Sequence, residues 1–76
     1  MSNKITKFKT ELYIVRERCS GGNWTVEEKD GNNVIAEVNT DSNPFTLDMF
    51  FRRANRSEML ELAEILQRVD NITKNR

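Results

Sequence analysis

The sequence contains no histidine and a single cysteine, Cys19, in 76 residues. Histidine and cysteine supply most of the proton-transfer, metal-binding and nucleophilic chemistry that proteins perform near neutral pH. Cys19 follows Arg18 but has no histidine to deprotonate it, so we interpret it as an ordinary strand-end residue. We therefore expect a protein that is not an enzyme, with no catalytic residue, no metal site and no cofactor.

Proline occurs once and glycine three times, and the sequence shows no linker, repeat or low-complexity tract. It also lacks an apolar run long enough for a signal peptide or a membrane span, so we expect no membrane contact. One cysteine cannot form an intramolecular disulfide, and the fold needs no oxidising compartment. A hydrophobic content of 37% with 32% charged residues is typical of a single globular domain, which we expect to be cytoplasmic.

The first half of the chain has a hydrophobic period near two, which predicts β-strands. Apolar and β-branched residues alternate in three runs, at residues 7–19, 23–29 and 34–39. Gly21-Gly22 separates the first two runs and Asp30-Gly31 separates the last two. Both are hairpin sequences, because glycine accepts the positive φ of a tight turn. The sequence therefore predicts a three-stranded antiparallel meander.

Beyond Pro44 the period changes to about 3.6, which predicts helices. Four apolar residues share the spacing of one helical face: Leu47, Phe50, Phe51 and Ala54. With Thr46 as a candidate N-cap, they predict a short helix over residues 47–54 that stops at Asn55. A fourth strand over residues 45–51 is the alternative.

A longer helix is predicted over residues 58–71, with Ser57 as its N-cap. Its apolar stripe consists of Met59, Leu62, Ala63, Leu66 and Val69, widened by Ile65 and Ile72. A small antiparallel sheet needs a cover for its apolar face, so both helices should pack on one face. The predicted fold is α+β with the order β-β-β-α-α, in one domain over residues 1–76.

The net charge is zero, but charges of opposite sign occupy different segments. Residues 1–18 carry +3, residues 19–43 carry −4, residues 44–56 carry +2 and residues 57–76 carry −1. Such segregation can steer a protein partner and fix its register. The alternative is ion pairing within the sheet, in which Arg16 or Arg18 lies opposite Glu27 or Glu28.

Aromatic residues and arginines are concentrated around residues 45–56. Adjacent helical residues lie about 100° apart, so Met49 or Phe51 should remain outward or half-covered. An apolar anchor surrounded by arginines is typical of interface hot spots. The predicted partner-binding residues are Met49, Phe51, Arg52, Arg53, Arg56 and Trp24. A broad core contact with the last helix is the alternative interpretation.

Two further surfaces follow from the sequence. Tyr13, Arg16 and Arg18 could join these arginines and Trp24 in a surface that binds single-stranded nucleic acid, although the acidic hairpin would repel phosphate. Leu62, Leu66 and Val69 could form a homodimer seam, with core packing as the alternative.

We predict a small binding protein that acts on another protein of unknown identity, with nucleic-acid binding as the second hypothesis. The small size, single domain and nine asparagines resemble accessory proteins of phages or mobile elements, which bind and modulate host proteins.

Overall fold

The computed structural model describes residues 4–19, 22–31, 33–49 and 55–75, with only the backbone of Met49. These residues form an antiparallel sheet of five strands followed by one C-terminal helix. The strands are β1 (Lys4–Lys9), β2 (Tyr13–Arg18), β3 (Trp24–Glu28), β4 (Val34–Asn39) and β5 (Thr46–Met49), and the helix is α1 (Arg56–Lys74). Their order in the sheet is also their order in the chain. The predicted α+β class and the long C-terminal helix are confirmed.

The predicted strand over residues 7–19 is in fact two strands, β1 and β2, joined by a tight turn at Glu11 and Leu12. The Thr10 N–H donates to the Tyr13 carbonyl oxygen at 2.9 Å, and the Tyr13 N–H donates to Thr10 Oγ1 at 3.1 Å. The turn contains no glycine, proline, asparagine or aspartate, the residues that normally mark a hairpin. A threonine hydroxyl supplies the hydrogen-bond acceptor instead.

The two turns predicted from glycine are confirmed. The connection from β2 to β3 contains Gly22, whose φ of +90° is a conformation that glycine adopts without steric cost. The connection from β3 to β4 is closed by the Glu28 N–H, which donates to the Asn33 carbonyl oxygen at 2.9 Å.

The short helix predicted over residues 47–54 is wrong at its start, because Thr46–Met49 forms β5 and pairs antiparallel with β4. The alternative of a strand is confirmed for these four residues, whereas residues 50–54 lie outside the described residues. The apolar spacing fits a strand as well, since Leu47 lies opposite Val38 on the core side and Asp48 points to the other face. Pairing with the free edge of β4 decides between the two.

Helix α1 begins two residues earlier than predicted, because Asn55 is its N-cap in place of Ser57. Asn55 Oδ1 accepts a hydrogen bond from the Glu58 N–H at 2.9 Å, and Glu58 Oε1 accepts one from the Asn55 N–H at 3.1 Å. This capping box satisfies two N–H groups that the helix itself cannot pair. Asn55, which the sequence suggested as the stop of the short helix, therefore caps the start of α1, and residues 50–54 before it lie outside the described residues.

The core lies between α1 and one face of the sheet, which confirms the predicted packing of the last helix. Its fully buried residues are Tyr13, Val15, Trp24, Val26, Ile35, Ala36, Val38, Leu62, Ile65 and Val69. A β-bulge after Val26 lets the neighbours Ile35 and Ala36 both enter this core. Burying a valine, leucine or isoleucine contributes roughly 1.5–3 kcal/mol relative to exposure, so this layer supplies much of the folding free energy.

The apolar stripe of α1 is rotated from the predicted one. Met59 is 59% exposed, whereas Ile65 is fully buried and Glu58 takes an inward position near the start of the helix. Glu58 accepts a hydrogen bond from Tyr13 Oη at 3.0 Å, and this contact ties the helix start to β2.

Candidate interaction surface

The face of the sheet opposite α1 is mainly polar and charged, and we call it the open face. Among the described elements only α1 packs on the sheet, and it covers the other side. Strand register and side-chain alternation place these residues on the open face: Lys4, Thr6, Lys9, Ile14, Arg16, Arg18, Thr25, Glu27, Val34, Glu37, Asn39, Thr46 and Asp48. The result is a broad surface with side chains from all five strands.

Charge on the open face is divided by strand. The basic residues come from β1 and β2, whereas the acidic residues come from β3, β4 and β5. Ion pairs join the two halves: Arg18 Nη2 lies 3.0 Å from Glu37 Oε2, and Lys4 Nζ lies 3.6 Å from Glu27 Oε2. The cations and anions therefore hold each other in fixed positions across the strands.

Glu27 is the central anion of the open face, and only 5% of the residue is exposed. Its Oε2 accepts a hydrogen bond from Thr25 Oγ1 at 3.2 Å and lies 3.6 Å from Arg16 Nε. That separation is too long for a hydrogen bond, and the buried Nε has no hydrogen-bond partner within the described residues. Glu27 therefore acts mainly as a counter-charge for two cations, Lys4 and Arg16.

Two carboxylates, Glu37 and Asp48, lie directly opposite each other in the β4–β5 ladder. Like charges in this position destabilise a sheet. Glu37 is compensated, because Arg18 and Asn23 Nδ2 both donate to it at 3.0 Å. Asp48 is exposed, and within the described part of the chain it makes no ion pair or hydrogen bond. Its charge is therefore available at the β5 side of the open face.

The structure separates the residues that the sequence assigned to partner binding. Trp24 is 2% exposed and belongs to the core, so its side chain is not accessible from the surface. Arg56 is exposed in the first turn of α1. Met49 ends β5, whereas Phe51, Arg52 and Arg53 lie outside the described residues.

The residues assigned to a nucleic-acid surface are separated as well. Arg16 and Arg18 lie on the open face, both paired with glutamates. Tyr13 is 2% exposed and points into the core. The other aromatic side chains that the structure describes are also buried or half-buried, and Phe8 is covered by the Arg68 guanidinium, 4.1 Å from the ring centre. The described open face thus has no exposed ring on which a base could stack.

The residues assigned to a homodimer seam are part of the core or its edge. Leu62 is 3% exposed and Val69 is fully buried, while Leu66 is half-buried beside them. Leu62 and Val69 therefore contribute to the core of one chain, and Leu66 lies at its edge.

Sequence reasoning missed the contributions of Lys4, Lys9 and Asp48 to the open face. For the lysines, the missing information was the turn at Glu11 and Leu12, which folds β1 back beside β2. For Asp48, the missing information was that residues 46–49 form the strand β5.

The described residues contain no cluster of three or more histidine, cysteine, aspartate or glutamate side chains that could hold a metal ion. No helix in this part of the chain is long and apolar enough to cross a membrane. No known protein family, curated protein or solved structure matches the chain.

Proposed function

We propose that this chain is a non-enzymatic binding protein whose open face docks on another protein. The observation that carries the proposal is the opposed pair Glu37 and Asp48, in which Asp48 has no compensating partner among the described residues and lies on the face that no described element covers. Local arrangements that cost stability are typical of functional positions. A partner that places a lysine or arginine against Asp48 would remove this repulsion on binding.

The fixed ion pairs of the open face support the same proposal. Arg18 is held by Glu37 while 42% of its side chain remains exposed. An arginine has five N–H donors in a rigid fork, so those not used by Glu37 can bind a carboxylate of the partner. Because the guanidinium is already positioned, less side-chain entropy is lost when the complex forms. A partner with its acidic groups over β2 and its basic groups over β5 is therefore complementary.

This charge pattern favours a protein partner over single-stranded nucleic acid. A nucleic-acid backbone presents phosphates along its whole length, so it would meet Glu37 and Asp48 as well as the arginines. A protein can present charges of both signs at chosen positions. Arg52 and Arg53 follow β5 in the sequence, but the proposal does not depend on them.

Affinity capture from a lysate of the source cells, followed by mass spectrometry, tests the proposal with two matched variants. Asp48→Lys reverses the uncompensated charge and places a lysine opposite Glu37, so the fold should be retained while the partner is lost. Glu64→Lys makes the same change in net charge at an exposed position of α1 and should retain the partner. Circular dichroism should show a thermal midpoint for Asp48→Lys at least equal to that of the wild type.

Capture of the same partners by wild type and Asp48→Lys would contradict the assignment of the open face. If Glu64→Lys lost the partner as completely as Asp48→Lys, the loss would reflect net charge in general and not the open face. Fluorescence anisotropy with single-stranded oligonucleotides tests the second hypothesis, that the chain binds nucleic acid. Tight binding that weakens as salt is raised would favour nucleic acid. Protein binding releases the cations that neutralise the phosphates, and this release is less favourable at high salt.

A further inference from the structure

Helix α1 carries a second stripe beside the one that faces the core, and Leu66 at the edge of this second stripe also packs against the core. It contains Arg56, Met59, Ala63, Leu66 and Asp70, and the last three of these line a groove together with residues 43–45. These positions alternate in spacing between three and four residues, which is the repeat of a helix that packs along another helix. We call this set the lateral stripe.

The lateral stripe has an exposed apolar end. Met59 is 59% exposed, and its neighbour Leu60 is 67% exposed. Large apolar side chains in adjacent positions at a helix surface are unfavourable in water and often mark an interaction site. They lie in the first two turns of α1.

The other end of the lateral stripe has a groove. It has a volume of about 460 Å³ and lies between α1 and the loop that precedes β5. Its apolar lining comes from Pro44, Phe45, Ala63 and Leu66. Asp70 also lines the groove and pairs with Lys74 at 2.9 Å. The molecule therefore has apolar projections at one end of the stripe and an apolar recess at the other.

The stripe is complementary to itself when it is turned by a two-fold rotation about Ala63. Arg56 lies seven residues before Ala63 and Asp70 seven residues after it, or about 10.5 Å along the helix in each direction. In an antiparallel pair of helices that cross at Ala63, each Arg56 meets the Asp70 of the other copy. Met59 and Leu60 then lie beside the groove of the other copy.

We propose that two copies of this chain associate through the lateral stripe, with their α1 helices antiparallel and Ala63 at the two-fold axis. The small side chain of Ala63 permits close approach of the helices, and the apolar contact and the Arg56–Asp70 pair each form twice. A domain of this size buries a modest core, so association also adds apolar burial that one copy lacks. The open face lies on the opposite side of the sheet, so the proposal goes beyond the binding function and does not depend on it.

Sedimentation velocity over a concentration series tests the dimer with charge reversals. Arg56→Asp and Asp70→Arg each place like charges opposite each other twice in the dimer, and each should weaken association by about tenfold or more. The double variant Arg56→Asp/Asp70→Arg restores two opposite-charge pairs and should dimerise again. Glu64→Arg, at an exposed position outside the stripe, should dimerise as the wild type does.

A wild type that stays monomeric up to high micromolar concentration would overturn the dimer. If the single charge reversals weakened the dimer and the double variant did not restore it, the proposed pairing of Arg56 with Asp70 would be wrong. A second readout uses Cys19→Ser/Ala63→Cys, in which the residue at the axis meets its own copy and should form an intermolecular disulfide under mild oxidation. Cys19→Ser/Glu64→Cys is its control, and equal cross-linking of both variants would also overturn the proposal.

Discussion

At the scale of residues, Glu27 organises the centre of the open face. It is buried on the side of the sheet that α1 leaves uncovered, and it lies within 3.6 Å of Lys4 and Arg16. A buried carboxylate is tolerated where neighbouring cations and donors compensate for its lost hydration. The three side chains therefore depend on one another, and Glu27 cannot be neutralised without affecting both cations.

We expect Glu27→Gln to lower the free energy of unfolding by about 1–3 kcal/mol, because Lys4 and Arg16 would lose their counter-charge in a partly dehydrated site. Urea denaturation at neutral pH measures the difference. Glu28→Gln is the matched control, since the adjacent residue lies on the other face and should change stability by less than about 0.5 kcal/mol. Equal effects of the two substitutions would contradict the role assigned to Glu27.

The sequence predicted part of this arrangement. Ion pairing of Arg16 with Glu27 follows from strand alternation and is confirmed at 3.6 Å. Arg18 pairs with Glu37 and not with Glu28, because Glu28 lies on the other face and Glu37 is within reach from β4. Alternation along one strand assigns a residue to a face, but choosing between two partners on that face requires the register of the neighbouring strands.

At the scale of elements, the start of α1 is fixed from two directions. The capping box of Asn55 and Glu58 sets the first helical turn. Glu61 Oε1, one turn later, accepts a hydrogen bond from the Leu12 N–H at 2.8 Å and joins the helix to the β1–β2 turn. The boundary of α1 is thus determined by local capping and by a contact with a distant part of the chain.

We expect Asn55→Ala to lower the free energy of unfolding by about 1 kcal/mol, since the first turn loses a side-chain acceptor. Asn71→Ala is the control, because this exposed residue lies inside α1, where alanine is the better helix former, and the change should stabilise by about 0.5 kcal/mol. Thermal unfolding followed by circular dichroism compares the two variants. Loss of stability in both would argue that asparagine at position 55 has no specific capping role.

Elements with a local signal were predicted well, and those that depend on tertiary pairing were not. The glycine turns and the long amphipathic helix are encoded within a few residues. The β1–β2 turn is closed by Thr10 and by Glu61 of α1, so its local sequence resembles a continuous strand. The local sequence of residues 46–49 fits a helix and a strand equally well, and pairing with β4 determines the strand.

At the scale of the whole molecule, one core joins all the elements. Trp24 is the only tryptophan, and it is 2% exposed in the layer that α1 and the sheet share. We expect unfolding at low protein concentration to be a single transition, in which tryptophan fluorescence and far-ultraviolet circular dichroism coincide. Loss of the helical signal before the fluorescence change would show that α1 separates from an intact sheet.

The strand order of the sheet has a consequence for biosynthesis. Each strand pairs with the strand that precedes it in the chain, so pairing can proceed as the polypeptide leaves the ribosome, and low contact order favours rapid folding. Helix α1, however, is translated after every strand. Until it emerges, the nascent sheet exposes an apolar face, and a chain released before residue 56 would present that face to other molecules as an aggregation-prone surface.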